Sequence, residues 1–363
     1  MASRAESGSV YKGRGATFDP KVRFESAAVD PFDDGWGSLA QARADDPPPR
    51  TEVTPDASRT VIARNTSPDI PFDRSINPYR GCEHGCVYCY ARPSHAYLGL
   101  SPGLDFETKL LAKLDAAPLL ERELARPGYR CQPIALGTNT DPYQPQERRL
   151  RITRAILEVL AQCRHPVTIV TKSAAVTRDL DLLSAMAADG LARVALSVTT
   201  LDPALARTLE PRAAAPHRRL EALRTLSAAG VPTSVMVAPV IPALNDHEIE
   251  AVLEAAAAAG TLQAGYVLLR LPHEVKELFT AWLEAHAPLR AERVLALVRQ
   301  CRGGKLNDPT FGRRMRGEGA YAELIAKRFA LATRRLGLDR SRTPLRTDLF
   351  EPPAEGRRQL RLL

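Results

Sequence analysis

Ile134-Ala135-Leu136-Gly137-Thr138-Asn139-Thr140-Asp141-Pro142-Tyr143-Gln144-Pro145-Gln146-Glu147 carries a short apolar run, a glycine, a loop dense in hydroxyls and amides, and then the start of a helix. The same order recurs downstream. Val167–Val170 precedes a helical window near Thr177–Ala188, and Val194–Val198 precedes one near His217–Ala228. Thr233–Val240 is followed by Asp246–Ala259, and Tyr266–Leu269 by helices reaching about Gln300. The first unit's own helix falls near Arg151–Gln162. Asn245-Asp246 reads as a helix N-cap, and Gly190, Gly230 and Gly260 sit where helix C-terminal glycines sit. Strand–helix units repeating about every 30–35 residues predict a parallel sheet with crossover helices. Five or six in series predict an α/β fold of the partial (β/α)6, TIM-type barrel kind, whose functional groups gather at the C-terminal ends of the strands.

A second signal lies upstream, in Tyr79-Arg80-Gly81-Cys82-Glu83-His84-Gly85-Cys86-Val87-Tyr88-Cys89-Tyr90. Three of the six cysteines fall within this loop, while Cys131, Cys163 and Cys301 are scattered. That pattern fits a thiolate site in a reducing compartment better than a disulfide scaffold. The glycines permit a tight loop with close backbone approach. A 4Fe–4S cluster takes one cysteine per iron, so three leave one iron open to an outside ligand. The competing reading is zinc held by Cys82, Cys86, Cys89 and His95, since tetrahedral zinc accepts a Cys3His set. His84 and His95 otherwise read as ordinary polar loop residues.

The spacing Cys82-x3-Cys86-Val87-Tyr88-Cys89 resembles the motif of the radical S-adenosylmethionine (SAM) superfamily. The resemblance implies a 4Fe–4S cluster whose open iron chelates SAM, and cleavage of SAM to a 5′-deoxyadenosyl radical that abstracts hydrogen from a substrate. It also implies that Tyr88 packs near the adenine. With Tyr90, Asn139-Thr140-Asp141, Thr171-Lys172 and Ser197, the chain over roughly residues 75–285 resembles the spore photoproduct lyase-like branch. Thr140, Lys172 and Ser197 are thereby carried over as SAM contacts, with Tyr90 beside them. The segments Lys12-Gly13-Arg14-Gly15-Ala16 and Arg302–Gly317 resemble those of an uncharacterised bacterial subgroup of that branch. One departure stands out: the lyase places a hydrogen-donating cysteine on the loop after the second strand, and here that loop reads Gly137-Thr138-Asn139. Cys131 lies at the other end of that strand.

Other polar loops carry weaker expectations. Glu210-Pro211-Arg212 and His217-Arg218-Arg219 offer an arginine to the methionine carboxylate, hydroxyls near Ser197 could reach a ribose, and Val240–Asp246 could flank adenine.

The rest of the chain frames these motifs. Its 363 residues, 44% hydrophobic and 25% charged, fit one large globular domain with extensions. Residues 1–60 are rich in Gly, Pro, Asp and Arg and are expected to be irregular, with Asp45–Arg50 as linker and Phe24, Phe32 and Trp36 as anchors. Residues 61–288 are assigned to the barrel and 289–363 to a basic, helical extension. No apolar run is long enough for a membrane span and no secretory leader is visible, so a cytoplasmic location without a membrane partner is expected. The net charge is +8, and Arg290–Leu363 alone carries 18 basic against 8 acidic residues. Such a segment, with Phe311, Tyr321 and Phe329 among its arginines, can attract nucleic acid; Phe329 sits at a core-facing helical position. The implied partners are SAM and an electron donor such as flavodoxin or ferredoxin, with the substrate left open between a nucleic acid and a peptide or small metabolite; a non-catalytic iron–sulfur or zinc-binding protein is the remaining alternative.

Overall fold

The computed structural model describes residues 10–24, 49–341 and 343–353. Phe32, Trp36, most of the expected linker and the last ten residues lie outside the described residues. Ten strands are present: β1 (Glu52–Pro55), β2 (Ile62–Arg64), β3 (Arg74–Ile76), β4 (Tyr79–Arg80), β5 (Lys109–Ala112), β6 (Ile134–Leu136), β7 (Val167–Thr171), β8 (Ala192–Ser197), β9 (Thr233–Val240) and β10 (Gln263–Leu268). The main sheet runs β10-β9-β8-β7-β6-β3-β2. Its six strands from β3 to β10 are mutually parallel, and β2 caps the β3 edge in antiparallel fashion. Among the described residues β10 and β2 do not meet, so the barrel is partial.

The crossovers are helices α2 (Ile152–Gln162), α3 (Leu180–Ala188), α4 (Pro216–Ala228) and α5 (Ile249–Ala258), preceded in the chain by α1 (Ala116–Leu124). Each crossover turns one apolar stripe to the sheet, as Ile156, Leu157 and Leu160 of α2 do. Along β7 and β8 fully buried residues alternate with half-buried ones, and Val, Ile and Leu fill most of the fully buried positions. One core joins the sheet to these helices.

A second apolar cluster lies under the cysteine loop. Val87 and Tyr88 pack there with Leu209, Ile241 and Leu244, and with Phe279 and Trp282 of helix α6 (Val275–His286). The Trp282 indole donates to the Thr208 carbonyl at 3.0 Å. Helix α7 (Pro288–Gln300) adds Val294 and Val298 to this cluster, so the start of the basic segment is part of the packed body. Helix α8 (Ala320–Arg335) lies on α5, with Phe329 in the core 4.7 Å from the Tyr266 ring.

Two elements differ from the sequence expectation. Glu52–Pro55 is a strand, paired in parallel with β5, although it falls within the stretch expected to be irregular. The barrel's first strand, β3, is only Arg74-Ser75-Ile76, too short and too polar to signal itself, yet all three residues are buried. No helix among the described residues is long and apolar enough to cross a membrane.

Candidate active site

The cysteine loop leaves the C-terminal end of β3, so it arches over the same rim of the sheet as the loops after β6, β7, β8 and β9. There it closes a cavity of about 260 Å³. Cys82, Cys86 and Cys89 line it together with Tyr88, Tyr90, Thr140, Lys172 and Ser197, so the cysteines and the residues that the resemblance carried over meet in one place. The glycine after β6 makes the approach possible. Gly137 has φ +83°, and a Cβ there would lie 2.0 Å from the Val170 carbonyl oxygen on the neighbouring strand.

Most polar groups on the inner wall are already engaged. The Asp141 carboxylate accepts from the Lys172 backbone N–H (2.8 Å) and the Thr171 hydroxyl (2.7 Å), and lies 3.3 Å from His84 Nδ1. Burial opposes its ionised form, but His84 and these donors outweigh burial and hold the carboxyl below its ordinary range. Lys172 Nζ donates to the Ala238 carbonyl (3.0 Å), lies 3.4 Å from Glu210 Oε1 and sits 5.7 Å from the Tyr88 ring centre. Glu210 is the hub: Arg219, Lys172, Thr199 and the Tyr88 hydroxyl all converge on its carboxylate. Burial would raise it, yet Arg219 and Lys172 keep it ionised far into acid. Burial beside Glu210 pushes the Tyr88 phenol well up, so Tyr88 acts as a neutral hydroxyl. The Thr140 hydroxyl is committed to the Tyr79 carbonyl at 2.7 Å, which shapes the loop and leaves the side chain's methyl as its other face.

Burial dominates the three thiols and outweighs the nearby cations and backbone N–H groups. Burial, with Asp141 near Cys82 and Glu210 near Cys86, pushes all three up. Metal coordination would supply the positive charge that offsets this burial. Among the described residues no three His, Cys, Asp or Glu side chains converge tightly enough for a single ion. His95 is directed elsewhere: it does not line the cavity, its Nε2 meets the Lys109 carbonyl at 2.9 Å, and its ring packs on Phe106. His95 therefore does not join the three cysteines at the cavity.

The loop is braced from behind by the N-terminal segment. The buried Glu107 carboxylate takes Arg92 at 2.5 Å and the backbone N–H groups of Gly15 and Ala16 at 3.0 and 2.8 Å. Arg92 in turn donates to the carbonyls of Cys86 (2.9 Å) and Gly85 (3.2 Å). Gly15 presses so closely that a Cβ there would lie 1.8 Å from the Gly85 carbonyl oxygen.

Sequence reasoning missed several participants. Asp141 stands inside the quoted loop but its clamping role needs Thr171 and Lys172 beside it, and His84 reads as an ordinary polar residue. None of Arg212, Arg218 and Arg219 lines the cavity: Arg212 pairs with Glu83, Arg218 with Glu221 and Arg219 with Glu210. The arginine that does is Arg270, just past β10, whose signal is a lone charge between leucines. Ala238 and Pro239 line the wall, whereas Ile241 and Leu244 of the loop expected near adenine are buried in the second cluster. Tyr321 gives its hydroxyl to Asp246 (2.5 Å), and Phe311 is exposed.

The comparisons with known proteins agree with this layout. Residues 76–256 match the model of the Radical SAM superfamily. An uncharacterized protein of Mycobacterium tuberculosis is 38% identical over 260 residues, covering 71% of this chain and 75% of the relative. A second uncharacterized relative, from Methanocaldococcus jannaschii, is 28% identical over 173 residues, covering 48% and 62%. Among solved structures, spore photoproduct lyase superposes with a TM-score of 0.54 at 16% identity over 78% of each chain, including a form with bound SAM and a dinucleoside spore photoproduct. At that identity the likeness speaks for the fold alone. A partial six-stranded barrel, a three-cysteine loop after its first strand, and these matches have one common meaning: the chain belongs to the radical SAM superfamily of enzymes.

Proposed function

We propose that Cys82, Cys86 and Cys89 hold a 4Fe–4S cluster, and that SAM occupies the cavity beside it on the iron left without a cysteine. The observation that carries this reading is three cysteines lining one cavity with Lys172, Ser197, Tyr88 and Tyr90. When bound and reduced by a carrier such as flavodoxin or ferredoxin, the cluster supplies the electron that splits SAM into methionine and a 5′-deoxyadenosyl radical.

The chain's own residues do the positioning. Asp141 fixes the backbone of Lys172 and the Thr171 hydroxyl, and so sets the height of the β7 loop over the cavity. Glu210 neutralises Lys172 and anchors Tyr88, keeping an aromatic face against the bound nucleoside. Ser197 presents a hydroxyl from the end of β8, and Thr140 fixes the β6 loop. The second apolar cluster under the loop excludes water from the rear, which limits quenching of a reactive intermediate.

For the substrate we propose a nucleic acid, repaired or modified by hydrogen abstraction. Support comes from the basic C-terminal segment, where the Arg314 guanidinium covers the exposed Phe311 ring at 4.7 Å and Met315 touches Arg270 of the cavity lining. Rings beside cations hold strands without sequence preference. The loop after β6 offers no cysteine, so the lyase's own hydrogen return is not the reaction proposed.

Anaerobic reconstitution followed by reduction tests the cofactor reading: loaded protein is expected to release 5′-deoxyadenosine and methionine from SAM. A protein that takes up iron and sulfide yet leaves SAM intact would refute it. Binding of labelled oligonucleotides tests the substrate reading. Affinity should fall steeply as salt rises, and binding indifferent to salt would point to a peptide or small metabolite instead.

A further inference from the structure

Two cations line the cavity, and they are not equivalent. Lys172 is spoken for, with a carbonyl at 3.0 Å and the Glu210 carboxylate at 3.4 Å. Arg270 is not. Its Nε is buried and finds no hydrogen-bond partner, and among the described residues its guanidinium reaches only the Met315 sulfur, from Nη1 at 3.7 Å. The carboxylate that could serve it, Asp69, is gripped through both oxygens by Arg314 (2.7 and 2.5 Å) and accepts the Gly312 N–H as well. Arg270 forms no ion pair among the described residues. Burial and the neighbouring Arg314 both work against its charge. A half-buried guanidinium with spare donors is costly unless something answers it.

Its placement says what would. The guanidinium carbon stands 5.2 Å from the centre of the Tyr90 ring, and Tyr90 is held by its hydroxyl on the Thr138 carbonyl. Tyr90 is also the markedly exposed member of the lining, at 46% of full exposure against 6–7% for Cys82, Cys86 and Tyr88. Stacking on a fixed ring holds the guanidinium plane in one orientation, as a fork for a planar or tetrahedral oxyanion requires. The guanidinium thus sits beside the exposed ring of the cavity lining.

We propose that Arg270, backed by Tyr90, is the residue that receives a phosphate oxyanion of the substrate at the cavity mouth. This rests on the nucleic-acid reading for the identity of the anion's carrier, but the anion site itself can be tested apart from it. Binding to the reconstituted protein is measured at about 50 mM salt for two probes, inorganic pyrophosphate and a short single-stranded oligothymidylate. Three proteins are compared: wild type, Arg270→Gln, and Arg313→Ala, an exposed arginine outside the cavity that removes the same charge. Arg270→Gln is expected to weaken both probes about tenfold or more, whereas Arg313→Ala weakens the oligonucleotide by less than about threefold. Pyrophosphate binding that depends on Arg270, with no oligonucleotide binding by wild type, would keep the anion site and remove the nucleic-acid reading. Oligonucleotide binding lost equally in Arg270→Gln and Arg313→Ala would do the reverse, reducing the effect to bulk charge. Wild type that binds neither probe overturns the assignment. So does an Arg270→Gln protein whose dialysis affinity for SAM falls tenfold while both probes are unaffected, because the fork would then belong to the methionyl carboxylate. The melting temperature of Arg270→Gln should hold or rise, since an unanswered charge leaves the interior; a clear drop would make Arg270 structural.

Discussion

The two ends of one cavity are built on opposite principles. At the inner end every charge has a partner: Asp141 with His84, Thr171 and the Lys172 backbone, and Glu210 with Lys172, Arg219, Thr199 and Tyr88. At the outer end Arg270 has no counter-charge among the described residues, Phe311 is exposed under the Arg314 guanidinium, and Tyr90 is half open. A closed network gives rigidity, because each member is held by the others and none is left to seek a new contact. An open cation gives affinity, because its partner must come from elsewhere. The inner end is therefore arranged to hold one cofactor geometry, and the outer end to accept something brought to it.

Perturbing each end should separate these roles. The largest effect belongs to the cysteines: replacing Cys82, Cys86 or Cys89 by Ala should abolish the cluster's visible absorbance and its reduced paramagnetic signal. An intact cluster in the single variants would break the inner-end account at once. Next comes Glu210→Gln, which leaves the buried Arg219 and Lys172 without their counter-charge. Removing one partner of a buried pair costs about 3–5 kcal/mol, so denaturant titration of the unloaded protein should show a loss of that order. A loss under about 1 kcal/mol would mean the network is not the brace inferred here.

Gly15→Ala probes the join between the N-terminal segment and the cluster loop. A methyl aimed at the Gly85 carbonyl must shift one backbone or the other, at a cost of about 1–3 kcal/mol for an overpacked site. Iron bound per chain should drop while the fold, read by circular dichroism, persists. Full iron retention would show that the segment merely rests on the loop. The smallest effect is Phe311→Ala at the outer end. Stability should stay within about 0.5 kcal/mol, while oligonucleotide binding loses roughly the 1–3 kcal/mol of a stacked base. Unchanged binding would remove the ring from the substrate surface.

The contrast between the ends also explains what was legible in the sequence. The strand–helix alternation from Ile134 onward is a periodic signal carried by many residues, and it placed β6 to β10 and the helices α2 to α5 close to their observed positions. The cysteine spacing is local and specific, and the inner wall's Thr140, Lys172 and Ser197 each sit at a strand's end. What stayed hidden depends on contacts between distant segments. β3 is three residues long and gains its meaning from pairing with β6. Glu107 becomes a brace only when Gly15 and Ala16 reach it across some ninety positions. Glu210 and Arg219 look like surface charges on helices until the barrel buries both. Arg270 is told from other arginines only by the absence of a partner, which no one-dimensional pattern records.

The central claim is that the inner end holds a cluster with an iron open to SAM. The most direct measurement is the electron paramagnetic resonance spectrum of the reconstituted, reduced protein before and after SAM is added, paired with quantitation of 5′-deoxyadenosine. The expected result is a 4Fe–4S signal that shifts on addition of SAM, with 5′-deoxyadenosine formed in wild type and absent in the cysteine variants. A signal indifferent to SAM, with no 5′-deoxyadenosine formed, would contradict it.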